Sequence, residues 1–161
     1  MAHPSLRLCR GPRSPYTNSG SSAIILSIRG TSVDKTEAAR RWQTAQENHT
    51  AAQQMLLQGF SGASVSRSYY ACFQAMWAAV GDPPLGIWKH GGLMQTFCRG
   101  RWADPVLLPT SFAPLYKKLL ALYDLRLDAD YRALPVGLTQ AHEGLFTVGE
   151  ILQVITQHKI L

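Results

Sequence analysis

The chain predicts an all-α fold, a bundle of four to five antiparallel helices. Three observations carry that expectation. Apolar residues recur at spacings of three and four through successive segments, glycine and proline punctuate the gaps between them, and no segment alternates apolar and polar residues around a hairpin turn.

Asp34 followed by Glu37 has the form of a capping box and marks the start of the first helix. From there Ala38, Trp42, Ala45, His49, Ala52 and Leu56 fall on one face, and Gly59 closes the helix. A second helix runs from about Ala63 to Val80. Its broad stripe of Val65, Tyr69, Cys72, Phe73, Met76, Trp77 and Val80 is what a central bundle helix shows, and Gly81, Asp82, Pro83 and Pro84 end it. Trp88 to Arg99 reads as a short third helix, weakened by Gly91 and Gly92 and stopped by Gly100. After a loop through Pro105 and Pro109, Ser111 is placed to cap a fourth helix carrying Leu115, Leu119, Leu122 and Leu125. That helix should persist to about Ala133 before Pro135 stops it. The fifth begins near Thr139, buries Leu145, Val148, Leu152 and Ile155, and runs almost to the C-terminus.

At 161 residues and 46% hydrophobic, the chain has the size of one domain and can bury a core without disulfides or a structural metal. No stretch reaches the roughly 18 to 20 apolar residues of a membrane span, so a soluble chain without membrane association is expected. Cys9, Cys72 and Cys98 stand too far apart for a zinc or redox motif, which fits a reducing, cytoplasmic setting. The formal net charge of +6 is unevenly spread. Residues 1–32 hold four of the sixteen basic residues and none of the ten acidic ones, so the remainder carries twelve against ten. With Pro4, Pro12, Pro15, Gly11, Gly20 and several serines, residues 1–32 read as a disordered extension and residues 33–161 as the helical domain. Any nucleic-acid contact must then come from a local patch rather than from overall charge.

Arg126 is the anomaly. It falls on the line Leu115, Leu119, Leu122, Arg126 and Ala129, where leucines point, and a charge there needs a partner. Asp130 lies one turn on, with Tyr131 and Asp128 near enough to extend a polar cluster. The cluster is either a structural ion pair or a functional one, in which the guanidinium takes phosphate oxygens and Asp130 or Tyr131 orients a hydroxyl or water. A second group is Ser66-Arg67-Ser68-Tyr69-Tyr70, where Arg67 and the serines could hold a phosphate and Tyr70 stack on a base, or where all are caps and packing. Lys89 and His90 form a basic corner before a Gly-Gly pair. His49 reads as a core histidine bonded to a neighbour. His142 has Glu143 beside it rather than one turn away, so no metal site is indicated. There is no phosphate-binding loop, dinucleotide fingerprint or nucleophile elbow, and no cofactor is expected.

The succession SRSYYACFQAMWAAV, KHGGLMQTF, LYDLRLDADYRA and AHEGLFTVGEIL resembles the small prokaryotic HEPN proteins (higher eukaryotes and prokaryotes nucleotide-binding domain) over about residues 36 to 158. The resemblance implies a bundle of four to five helices, commonly a homodimer, often encoded beside a minimal nucleotidyltransferase in a toxin–antitoxin or defence cassette. Many HEPN members are ribonucleases whose motif is an arginine followed four to six residues later by a histidine at the dimer interface. Arg126 matches the arginine, but no histidine follows, and the segment resembles instead the subgroup in which Asp-Tyr, here Asp130 and Tyr131, follows. The usual acid–base imidazole is therefore missing from its place, and tyrosine, with a pKa of about 10, is a poor base. The implied function is a module binding RNA, a nucleotide or a nucleotidyltransferase partner, without strong catalysis. The alternatives are a metal-independent endoribonuclease toxin using Arg126, Asp130 and Tyr131, and a helical scaffold.

If residues 1–32 bury little apolar surface, deleting them should leave the thermal midpoint nearly unchanged. A calorimetric drop of more than roughly 5 °C, on the order of 1 kcal/mol or more for a domain of this size, would show that they pack on the bundle.

Overall fold

A computed structural model describes residues 35–159. The extension and the Asp34 cap lie outside those residues. Five helices form the described chain: α1 (Lys35–Leu57), α2 (Ser61–Val80), α3 (His90–Cys98), α4 (Ala113–Asp130, entered through a 3-10 turn at Pro109–Phe112) and α5 (Leu138–His158). No strand occurs among the described residues, and no helix among them is long and apolar enough to cross a membrane.

α2 packs against all four other helices, and its composition explains why it can. Ser64, Ser68, Ala71, Cys72, Ala75, Ala78 and Ala79 are all buried, so neighbouring backbones approach closely, while Val65, Tyr69, Phe73 and Met76 fill the remaining gaps. Large side chains from the other helices complete the core, among them Phe97, Leu119, Leu122, Ile151 and Ile155. Each fully buried side chain of this size contributes about 1.5–3 kcal/mol.

α1 runs antiparallel to α2, with Arg41 bonded to Gln74 at one end and Ser64 to the Ala52 carbonyl at the other. α4 is also antiparallel to α2, since Asp130 meets Ser66 and Arg126 meets Tyr70. α5, by contrast, lies parallel to α2: Gly144 faces Ser68, and the Lys159 ammonium donates to the carbonyls of Ala78 and Ala79 at the end of α2.

Several expected boundaries move for local reasons. α2 starts at Ser61 because Gly59, at φ 83°, turns the chain within three residues. α4 stops at Asp130, not Ala133, where the N–H groups of Tyr131 and Arg132 both return to the Leu127 carbonyl and Ala133 adopts φ 51°. Gly91 and Gly92 do not break α3, because Leu93, Met94 and Phe97 anchor it in the core. On α5 the buried line is Ala141, Gly144, Val148, Ile151 and Ile155, with Leu145 and Leu152 only half-buried at its edge. Gly144 lets α4 approach closely there, since a methyl would come within 3.1 Å of the Leu122 side chain and push it aside.

Two serines of α2 make a matched test of buried polarity. Ser64 donates to the Ala52 carbonyl at 2.8 Å, whereas the buried Ser68 hydroxyl has no partner among the described residues. Ser64→Ala should cost about 1 kcal/mol, and Ser68→Ala should be neutral or stabilising by about 1 kcal/mol, as read by denaturant unfolding.

Candidate functional site

Arg126 lies on the core face of α4, only 4% exposed. Its Nε donates to Asp130 at 2.9 Å, and Nη2 donates to the hydroxyls of Tyr70 at 2.7 Å and Tyr131 at 2.8 Å. Ser66 donates to the same Asp130 oxygen at 3.0 Å, which fixes the carboxylate from α2. The rings of Tyr131, Tyr70 and Tyr69 surround the guanidinium carbon at 4.8, 5.2 and 5.6 Å. Burial works against the charge, but the two phenols and Asp130 outweigh it and raise the Arg126 pKa above its ordinary value.

The donor count of this arrangement gives it chemical direction. Both protons of Nη2 are taken by phenol oxygens acting as acceptors, which leaves the Tyr70 and Tyr131 O–H groups free to donate. Nη1 has no hydrogen-bond partner among the described residues. One carboxylate sits on the Nε edge, and the opposite edge offers only donors. That edge is complementary to an oxyanion.

The structure thus brings Arg126, Asp130, Tyr131 and Tyr70 together and separates the other candidates. Arg67 does not join them: it is exposed and donates to Asn48 of α1 at 3.3 Å. Gln74, one turn after Tyr70, likewise faces α1, where it accepts from Arg41, so Tyr70 parts from both Arg67 and Gln74. Asp128 pairs with Arg132 at 2.7 Å instead of extending the cluster. Lys89 is exposed. His49 is half-buried and lies 3.4 Å from Gln53 of its own helix.

His90 is the residue whose place sequence spacing could not give. At the first position of α3, its Nδ1 lies 2.5 Å from the hydroxyl of the fully buried Tyr69. Its ring is boxed by Phe73, Tyr123 and Tyr69 at 5.0, 5.4 and 5.5 Å between centroids. Burial, then the charge of Arg126, hold the imidazole pKa below its ordinary value. Burial pushes the Tyr69 phenol well above its own. Tyr69 touches both His90 and Arg126, so imidazole and guanidinium belong to one cluster.

Other chemistry is weakly supported. The Cys72 thiol is buried with its pKa raised, and burial pushes Cys98 up to about 12, so neither is an activated nucleophile. Among the described residues no group of three or more His, Cys, Asp or Glu could hold a metal ion. An open apolar groove of about 580 Å³ runs between α4 and α5, floored by Leu122 and Gly144 and flanked by Leu125 and Phe146. None of the candidate residues lines it.

His90 and His49 are both held below the ordinary imidazole pKa by burial. The unfolded chain therefore binds more protons than the folded one as pH falls through about 6.5, and stability should decline from there. The thermal midpoint should drop between about pH 7 and pH 5, and His90→Gln should remove part of that drop. A flat profile over this range would show that neither ring is desolvated.

No family model matches the chain, and no curated protein matches it.

Proposed function

We propose that this chain is a HEPN-like helical module of a toxin–antitoxin or defence system that holds a phosphate group of RNA or a nucleotide at Arg126. It works alongside a minimal nucleotidyltransferase partner and has little catalysis of its own. The observation that carries this reading is the donor-only edge of the site, made by the free Nη1 and the two phenolic O–H groups left over by Nη2. A guanidinium held rigid through Nε and Nη2 presents Nη1, beside the two phenolic O–H groups, to phosphate oxygens.

The same geometry weakens the endoribonuclease alternative built on Arg126, Asp130 and Tyr131. Asp130 accepts from both Arg126 and Ser66 through one oxygen, Oδ2, so its role in this geometry is to anchor the guanidinium. The scaffold reading has to explain why a core position carries an arginine with an unused edge.

Homodimerisation through the helices carrying Tyr69 and Arg126 belongs to this reading; the other four helices cover most of α2, and Ala63 and Arg67 are its exposed residues. Exposed apolar side chains lie on α4, α5 and the turn between them, as at Leu134, Leu138 and Phe146, and also at the α1–α2 turn with Leu57 and Phe60 and in the loops on either side of α3 with Leu85, Ile87, Val106 and Leu108.

Arg126→Ala should cost about 3 kcal/mol whichever reading holds, toward the low end for a broken buried pair, because the Asp130 side chain remains 27% exposed. Two milder variants discriminate. Arg126→Lys keeps the charge and loses the rigid planar set of donors, and should weaken binding of a single-stranded RNA oligomer or a mononucleotide about tenfold, a change of about 1.4 kcal/mol. Tyr131→Phe takes one acceptor from the buried guanidinium and should cost about 1 kcal/mol of stability, well below Arg126→Ala, and should weaken the same binding about threefold through loss of one donor. If both variants bind as the wild-type chain does, the phosphate site is wrong. A monomeric mass by light scattering at tens of micromolar would remove the dimer.

A further inference from the structure

Resting on the phosphate-binding reading, the geometry points to a second contact that sequence spacing hides. We propose that His90, held by Tyr69 and boxed by aromatic rings one turn along α4 from Arg126, is a pH-responsive donor to a phosphodiester bound at the Arg126 edge.

Placement comes first. Tyr123 and Arg126 lie one turn apart on the same side of α4, an axial step of about 5 Å. The Tyr123 ring stands 5.4 Å from the imidazole, and Tyr69 spans the seam with its ring 5.5 Å from His90 and 5.6 Å from the guanidinium carbon. The two nitrogenous groups therefore sit beside each other along the α2–α4 seam, at a separation that neighbouring parts of one sugar-phosphate chain can bridge. Gly91 and Gly92, which follow His90, are exposed, and a methyl at Gly91 would meet nothing within 4 Å. Space above the start of α3 is open to a ligand.

Protonation comes next. Tyr69 is fully buried, and burial keeps its phenol protonated. Its hydrogen is directed at Nδ1 of His90, its one hydrogen-bond partner among the described residues. A neutral imidazole whose Nδ1 accepts carries its proton on Nε2. Nε2 has no partner among the described residues, and the ring is half-buried, so this N–H is available to a ligand.

The groups around the ring are the Tyr69 phenol and Phe73 from α2, Tyr123 and the Arg126 cation from α4, and the exposed Lys89 beside it on its own segment. No carboxylate is paired with His90 among the described residues. These surroundings favour neutral imidazole. An anion placed between His90 and Arg126 would reverse that preference, and protonation would in turn tighten the anion.

The test uses a short labelled oligouridylate, because a phosphodiester keeps one charge over the range in which a monoester gains a second near pH 6. Wild-type affinity is expected to rise about fivefold between about pH 7.5 and pH 5.5, in line with a hydrogen bond becoming charge-assisted. His90→Gln keeps an N–H donor and cannot titrate. It should lose the rise and bind equally at both pH values, whereas His90→Ala should bind about fivefold more weakly at neutral pH. Nitrogen-15 NMR of the unmodified chain reads the tautomer without any substitution, and Nε2 should carry the proton at neutral pH. A neutral ring protonated on Nδ1, or a pH-dependent rise that survives His90→Gln, overturns the role of His90. If Arg126→Lys still weakens binding in that case, the phosphate site stands and only this inference fails. Absence of oligouridylate binding by the wild-type chain overturns both.

Discussion

The guanidinium of Arg126 occupies a position on α4 that Leu115, Leu119 and Leu122 occupy on the preceding turns. An unpaired cation there would carry a desolvation cost of several kcal/mol, which is offset only because one carboxylate, two phenol oxygens and three aromatic faces converge on it. Those groups come from two helices and the turn after α4, so satisfying the charge also fixes how α4 crosses α2. The Ser66–Asp130 bond ties the carboxylate to α2 as well, so the pair cannot loosen without disturbing the helix crossing. Stability and recognition share the same atoms at this seam.

The small-residue face of α2 makes that convergence possible. Alanines and serines let α1 and α5 approach closely, and Gly62 at the start of the helix brings the end of α4 near, where a methyl would lie 3.6 Å from the Ala129 side chain. The bulky residues of α2 are then free to point into the seam. Tyr69 gains most from this, since its ring packs against Tyr70, Phe73, Tyr123 and His90 while its single polar atom finds the imidazole. α3 is short and glycine-containing, yet it is held by that contact at one end and at the other by Phe97, which stacks on Trp102 at 4.8 Å.

The residue types recruited here set the limits of the chemistry. Both cysteines are desolvated thiols, and the acidic residue nearest the guanidinium is already committed to it. What remains are donors: one guanidinium edge, two phenols and one imidazole N–H. A set of donors around one fixed cation recognises an oxyanion better than it moves protons.

The helical class, the five elements and the strangeness of Arg126 were legible in the sequence, because apolar spacing of three and four is a local consequence of helix geometry and a charge in a leucine line is visible without a structure. The Asp130 pairing was legible for the same reason, being one turn away on one helix. Helix ends were less so: the close of α4 at Asp130 depends on carbonyl capping by the turn that follows, not on residue type alone. What only the tertiary structure decided was which α2 residues meet the arginine. Arg67, Tyr70 and Gln74 share a broad face of one helix, yet α1 takes the first and third while α4 takes Tyr70, because each neighbour covers a different edge of that face. His90, thirty-six positions before Arg126 in the chain, joins the cluster through Tyr69, a contact set by how α3 folds back over α2 and recorded in no local pattern.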